Sequence, residues 1–195
     1  MAQQEKKRKV RAVLAGGLVL GVGAVLTMAA WNSSEFATGS FATGAFVLEG
    51  KTPGEVSFGH HASEGDAASL DFSLDASNIG PGDTVSAGFA IRLDSATTFD
   101  GSAVIDTAVG DPVEGLRQRV YTSSTAECAG EAVLELVGPT ALVGGSGSAT
   151  ADLLKGAADT AGETVNLCFE VTAGEEIAQN GASTAVWKIV ATQKS

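Results

Sequence analysis

The sequence predicts an all-β domain, an antiparallel β-sandwich of jelly-roll type, carried behind an N-terminal hydrophobic helix that is cleaved off. Three observations lead there. Short segments in which apolar and polar residues alternate recur along the chain, which is the period of a strand with one buried face. Turn signals built on Gly and Pro separate them. Gly, Ser, Thr, Ala and Val dominate a composition that holds only 4 Pro, 2 Trp and 1 Tyr.

The first element is not part of the sandwich. MAQQEKKRKVR sets Lys6, Lys7, Arg8, Lys9 and Arg11 against the single acid Glu5, and residues 12–30 then carry no charge. Nineteen helical residues at ~1.5 Å each match a bilayer core of about 30 Å. Positive charge ahead of the run keeps that end in the cytoplasm and directs the remainder outward. The run is longer than an ordinary secretory apolar region of about 7–15 residues. It is also weak as a permanent anchor, since four of its residues are Gly and five are Ala. Thr27 and Ala29 supply small side chains at −3 and −1, so cleavage is expected between Ala29 and Ala30. Uncut, the same segment would display the domain on the membrane. The expected organisation is a signal peptide over residues 1–29 and a single sandwich over residues 30–195.

The strands follow in order. SFATGAFVLE is the first. SLDFSLD sets Leu70, Phe72 and Leu74 against Asp71, Ser73 and Asp75. NIGPGD is a tight turn, with Pro81 fixing φ and Gly82 free to take positive φ. TVSAGFAIRL offers Val85, Ala87, Phe89, Ile91 and Leu93 as an inner face, with Ser86 and Arg92 outward. SAVIDTAV and LRQRVYTS come next, then VLELV, where Val133, Glu135 and Val137 alternate with Leu134 and Leu136. Residues 143–163 are the least strand-like, and ATADLLKGAAD within them is expected as a short helix. TVNLCFEV turns Val165, Leu167, Phe169 and Val171 inward and leaves Cys168 on the other face with Asn166 and Glu170. STAVWKIVAT closes the chain, with Trp187 and Ile189 opposite Val186, Lys188 and Val190. About eight strands at this spacing fit a sandwich.

The cysteines, Cys128 and Cys168, both lie in the exported part, where an even pair reads as a disulfide. Without residues 1–29 the chain holds 7 basic and 22 acidic residues, a net charge of −15. Phosphate contacts need Lys and Arg, so nucleic acid and anionic lipid are not expected partners. The membrane is met only before processing.

The stretch from Ala12 to Gly50 resembles the N-terminal region of proteins exported through the SipW-type signal peptidase, the group that includes TasA and camelysin. The resemblance rests on the Gly-rich apolar run, on Ala29-Ala30-Trp31, and on the small-residue and Phe strand from Gly44 to Glu49. NIGPGDTVSAGFAIRL and VWKIVATQKS are similar to a turn-and-strand and a closing aromatic strand of that family. The resemblance implies a jelly-roll domain, a SipW-type signal peptidase as processing partner, and a role in biofilm-matrix fibres or cell-surface layers.

No catalytic residue, cofactor site or metal ligand is assigned, and the chain is expected not to be an enzyme. H-E-x-x-H, G-x-S-x-G, a Gly-rich phosphate loop and paired-Cys metal motifs are all missing from the sequence. His60 and His61 stand near Glu55, Glu64 and Asp66, but adjacent strand residues point to opposite faces, and a solvated loop is the expected setting. Asp66, Asp71, Asp75 and Asp83 read as a solvated face rather than a Ca²⁺ loop, since no EF-hand spacing is present.

The function expected is that of a secreted cell-surface or matrix structural protein that assembles into fibres by strand exchange of its processed N-terminus. Phe36, Phe41, Phe46 and Leu48 mark the donor strand. A Phe spacing of five alternates faces, which suits a strand buried on both sides or one bulged at Gly39 or Gly44. An ordinary first strand of the same domain is the plain alternative. Partners are then other copies of the chain or other matrix proteins. A secreted ligand-binding or adhesive module is the other reading, with a camelysin-like metalloprotease behind it.

Overall fold

A computed structural model of the chain describes residues 4–11, 38–40, 43–73, 76–111, 113–141, 145–182 and 184–194. The chain divides into two units, Met1–Ala42 and Thr43–Ser195. In the first, residues 4–11 are helical. The whole predicted apolar segment, residues 12–30, with the Ala29–Ala30 cleavage site, and Phe36 and Phe41 lie outside the described residues. No helix among the described residues is long and apolar enough to cross a membrane.

The second unit is an antiparallel β-sandwich, as the alternation predicts. Its strands are β1 (Leu48–Lys51), β2 (Thr84–Leu93), β3 (Gly101–Asp111), β4 (Leu116–Ser123), β5 (Ala132–Ala141), β6 (Ala151–Leu153), β7 (Val165–Ala173) and β8 (Thr184–Gln193). One sheet has five strands in the order β1-β2-β7-β4-β5; the other has three, in the order β6-β3-β8. The chain changes sheet after β2, β3, β5, β6 and β7, the repeated crossing that characterises jelly-roll-like sandwiches.

The core forms where the two inner faces meet. β2 supplies Phe89, Ile91 and Leu93, β7 supplies Leu167 and Phe169, and β4 supplies Val120. Ala103 and Ile105 of β3 and Ala151 and Leu153 of β6 answer them from the other sheet. β2 and β7 pair in unbroken register from Thr84↔Thr172 to Ile91↔Val165, which keeps every predicted inner residue of both strands on the core side. The same register sets Cys168 opposite Gly88 on the outer face. There Cys168 bonds to Cys128, 40 residues away, with Cα atoms 5.5 Å apart. A side chain at Gly88 would strike the carbonyl of Ala126, so the disulfide loop lies directly on the sheet at a position only Gly permits.

NIGPGD forms the predicted turn. Gly82 takes φ +82°, and the Asp83 amide closes on the Gly80 carbonyl at 3.1 Å. Three expected elements differ. SLDFSLD is not a strand over its described residues, 69–73. Leu70 and Phe72 do pack on the core, but among the described residues the segment's one backbone–backbone tie to β2 is Ser73 N–H to Ser86 O at 2.8 Å. ATADLLKGAAD is not a helix. Its start is β6, and residues 157–160 make a turn. Pairing of Gly101–Ala103 with Leu153–Ala151 fully buries Leu153, which overrides the helix preference of Ala, Leu and Lys. In VLELV strict alternation breaks. Irregular pairing with β4 leaves Val133 and Leu134 exposed and buries Leu136 and Val137 side by side.

Candidate functional site

Five strands face three, and the shorter sheet ends early. Among the described residues β8 pairs only with β3, and its second edge carries no strand among them. That edge borders a cleft of about 1730 Å³. Residues 184–191 of β8 line it without a gap. Successive strand residues point to opposite faces, so eight in a row can line one cleft only if it runs along the strand's edge. Phe46, Leu48, Phe89 and Ile91 form the opposite, apolar wall. Leu70, Phe72 and Ile79 also line the cleft and pack on the core.

Trp187 holds β8 in place. Its ring meets Phe169 at 5.1 Å with the planes tilted by 52°. Its Nε1–H donates to Gln118 Oε1 at 2.6 Å, and Gln118 Nε2 donates to the Gly145 carbonyl at 3.1 Å. Gln118 is 2% exposed, so one buried amide links β4 in one sheet, β8 in the other and the strand connection at 145. Sequence reasoning passed over Gln118. The signal was present in LRQRVYTS, where alternation puts Gln118 on the inner face between Leu116 and Val120, with Arg117 and Arg119 outside.

Phe46 and Leu48 belong to the chain's own sandwich. Both pack on the core, and Leu48 pairs with Leu93 in β1–β2. Val47 accepts the Asp94 amide at 2.9 Å, which ties this stretch to the end of β2.

His60 and His61 diverge, as neighbours on an extended chain do. His61 Nδ1 donates to the Asp66 carbonyl at 2.9 Å, and its ring faces Phe89 at 6.0 Å. Its Nε2 is buried without a partner. His60 turns the other way and donates from Nδ1 to Leu48 O at 3.3 Å. The acids beside it are not its sequence neighbours. One donor atom each from Glu49, His60 and Asp94 lie within 4.8 Å of one another, the set among the described residues that is placed to hold a metal ion. Glu49 also takes the Arg92 Nε–H at 2.6 Å, and the Arg92 guanidinium lies 3.9 Å from the centre of the Phe58 ring. Glu55 instead caps its own turn, accepting the Thr52 amide at 2.6 Å, which holds its carboxyl below the usual carboxylate range.

The disulfide is compatible with an extracellular location. No protein-family model matches the sequence, and a search among curated proteins returns no match.

Proposed function

We propose that this chain is an exported structural protein of the cell surface or extracellular matrix, and that copies join when the processed N-terminal strand of one enters the cleft along β8 of the next. The observation that carries the reading is the second edge of β8, unpaired among the described residues and bordered for eight residues by a cleft with an apolar wall. A strand added there gains ladder hydrogen bonds from the edge and pockets from the walls, the arrangement of β-augmentation. Since Phe46 and Leu48 serve the chain's own sandwich, the donated strand is drawn from residues 30–42. A head-to-tail contact of this kind need not close, so it builds filaments.

Export through the SipW-type signal peptidase is supported by the N-terminal pattern, and the cysteine bond fits the oxidising compartment that export leads to. Acidity sets nucleic acid aside as a partner. The partners are other copies of the chain or other matrix proteins.

The test is electron microscopy and light scattering of protein beginning at Ala30, beside a form lacking residues 30–40. Filaments from the first and soluble monomers from the second are expected. A processed protein that stays monomeric at high concentration, across pH and with or without Ca²⁺, would overturn the assembly mechanism and leave the cleft to a ligand-binding or adhesive module.

A further inference from the structure

We infer that Glu49, His60 and Asp94 form a site for a divalent cation of the zinc class. The site lies at the mouth of the cleft, where Glu49 and His60 are part of the lining. It draws on three separate segments: β1, the loop after it, and the residue that follows β2.

The donor set fits the ion. An imidazole nitrogen with two carboxylate oxygens suits Zn²⁺, Co²⁺ or Ni²⁺, whereas Ca²⁺ and Mg²⁺ favour oxygen alone. Three protein ligands leave a fourth position for water. With bonds of about 2.1 Å, tetrahedral ligand atoms sit about 3.4 Å apart. The three donors, within 4.8 Å now, would close by up to about 1.4 Å around an ion. Exposed His60 supplies that movement by side-chain rotation.

Each ligand is also oriented by a contact outside the trio, as metal ligands are. Leu48 O can only accept, so His60 Nδ1 carries the proton and Nε2 the lone pair. Arg92 engages Oε1 of Glu49, and the other carboxylate oxygen is uncommitted to that pair. The Ala96 amide engages Oδ1 of Asp94 at 2.6 Å in the same fashion.

Charge gives an independent reason. Glu49 is only 8% exposed, and its carboxylate is held close to that of Asp94. Like charges at this range repel, most strongly where one is buried. Arg92 offsets one of the two negative charges and leaves a net charge of −1. His60 makes no ion pair with either carboxylate. A cation shared by all three relieves the repulsion that Arg92 leaves. Its effect would be to clasp β1, the 59–61 loop and the end of β2 together. The inference holds whether or not a strand fills the cleft.

The experiment is titration of the full chain, in non-ionic detergent, with Zn²⁺ by calorimetry and with Co²⁺ by visible absorption. One equivalent is expected to bind, with a visible band of four- or five-coordinate Co²⁺, and a melting temperature raised by Zn²⁺ and restored by a chelator. His60→Gln and Asp94→Asn should each weaken binding at least tenfold, while His61→Gln should leave it unchanged. Both ligand variants keep the exposed surface polar, and circular dichroism checks their fold. If wild type and His60→Gln bind Zn²⁺ alike, or neither binds, the site does not exist. Loss of binding in His61→Gln alone would place the ion elsewhere and equally overturn the assignment.

Discussion

Replacing Gln118 by Leu tests whether the two sheets are held in register by a buried amide as well as by apolar contact. Two hydrogen bonds disappear, the one from Trp187 Nε1–H at 2.6 Å and the one to Gly145 O at 3.1 Å. Leu is close in volume to Gln, so the cost lies in the partners left behind. Each buried polar group that loses its partner costs about 1–3 kcal/mol. Trp187 is only partly buried, so its N–H regains some hydration and falls at the low end. A loss of about 2–3 kcal/mol follows, partly countered by the better burial of Leu. In urea, with a slope of about 2 kcal/mol/M, the midpoint should fall by about 1 M. Unfolding of the disulfide-intact protein, followed by tryptophan fluorescence and circular dichroism, reads this directly. Trp187→Phe keeps the ring against Phe169 and removes only the donor, so a double-mutant cycle with Gln118→Leu should give a coupling of about 1 kcal/mol. A Gln118→Leu protein within about 0.5 kcal/mol of the wild type would refute the reasoning and make the amide incidental.

Cys128 and Cys168 close 40 residues of chain, so replacing both by Ala should cost at most about 4 kcal/mol, read as a lower urea midpoint; equal stability would show that the loop retains its structure when unlinked. Gly88→Ala drives a methyl group into the Ala126 carbonyl and should cost about 1–3 kcal/mol, whereas Gly54→Ala meets nothing within 4 Å and should stay within about 0.5 kcal/mol; comparable thermal melts for the two would count against a loop pressed on the sheet. Glu55 is held below its ordinary value of 4.5, first by the Thr52 amide, so the unfolded chain binds its proton more readily. Its contribution is therefore complete above that value and fades as pH falls through the lowered one, and Glu55→Gln should flatten the acid side of the melting-temperature profile.

Alternation carried most of the sandwich because it reports which side of a segment meets the core. β2 and β4 begin and end where TVSAGFAIRL and LRQRVYTS do. Alternation does not report whether a segment has a neighbour to pair with. SLDFSLD shows the difference, since Leu70 and Phe72 reach the core from a segment that forms no ladder. β6 shows the converse. Three residues, too short to read as a strand, became one because β3 offered an edge and Leu153 a place to be buried. Gln118 was legible as a polar residue on an inner face, but its partners, Trp187 and Gly145, are set by topology. The Glu49, His60 and Asp94 group was not legible at all. Its members are scattered along the chain, and His60 invites comparison with nearer acids that the fold sends elsewhere.

A cleft along a strand edge that is unpaired among the described residues is also a hazard, because any extended chain can pair with it. The same surroundings limit that risk. Lys188 sits mid-strand on β8 and pairs with Asp106 of the neighbouring β3 at 2.9 Å, which keeps a charge pair within the face of this sheet. Leu70, Phe72 and Ile79 line the cleft and pack on the core beneath it, which reduces the apolar surface left to water. A net charge of −15 on residues 30–195 keeps copies apart at long range, so indiscriminate collisions are weakened. A guest strand must therefore gain enough from ladder bonds and side-chain pockets together to outweigh repulsion between two acidic subunits. Generic apolar chains do not meet both conditions. In the proposed assembly a strand with Phe36 and Phe41 on alternate faces would do so, because a spacing of five puts an apolar side chain on each of its two sides.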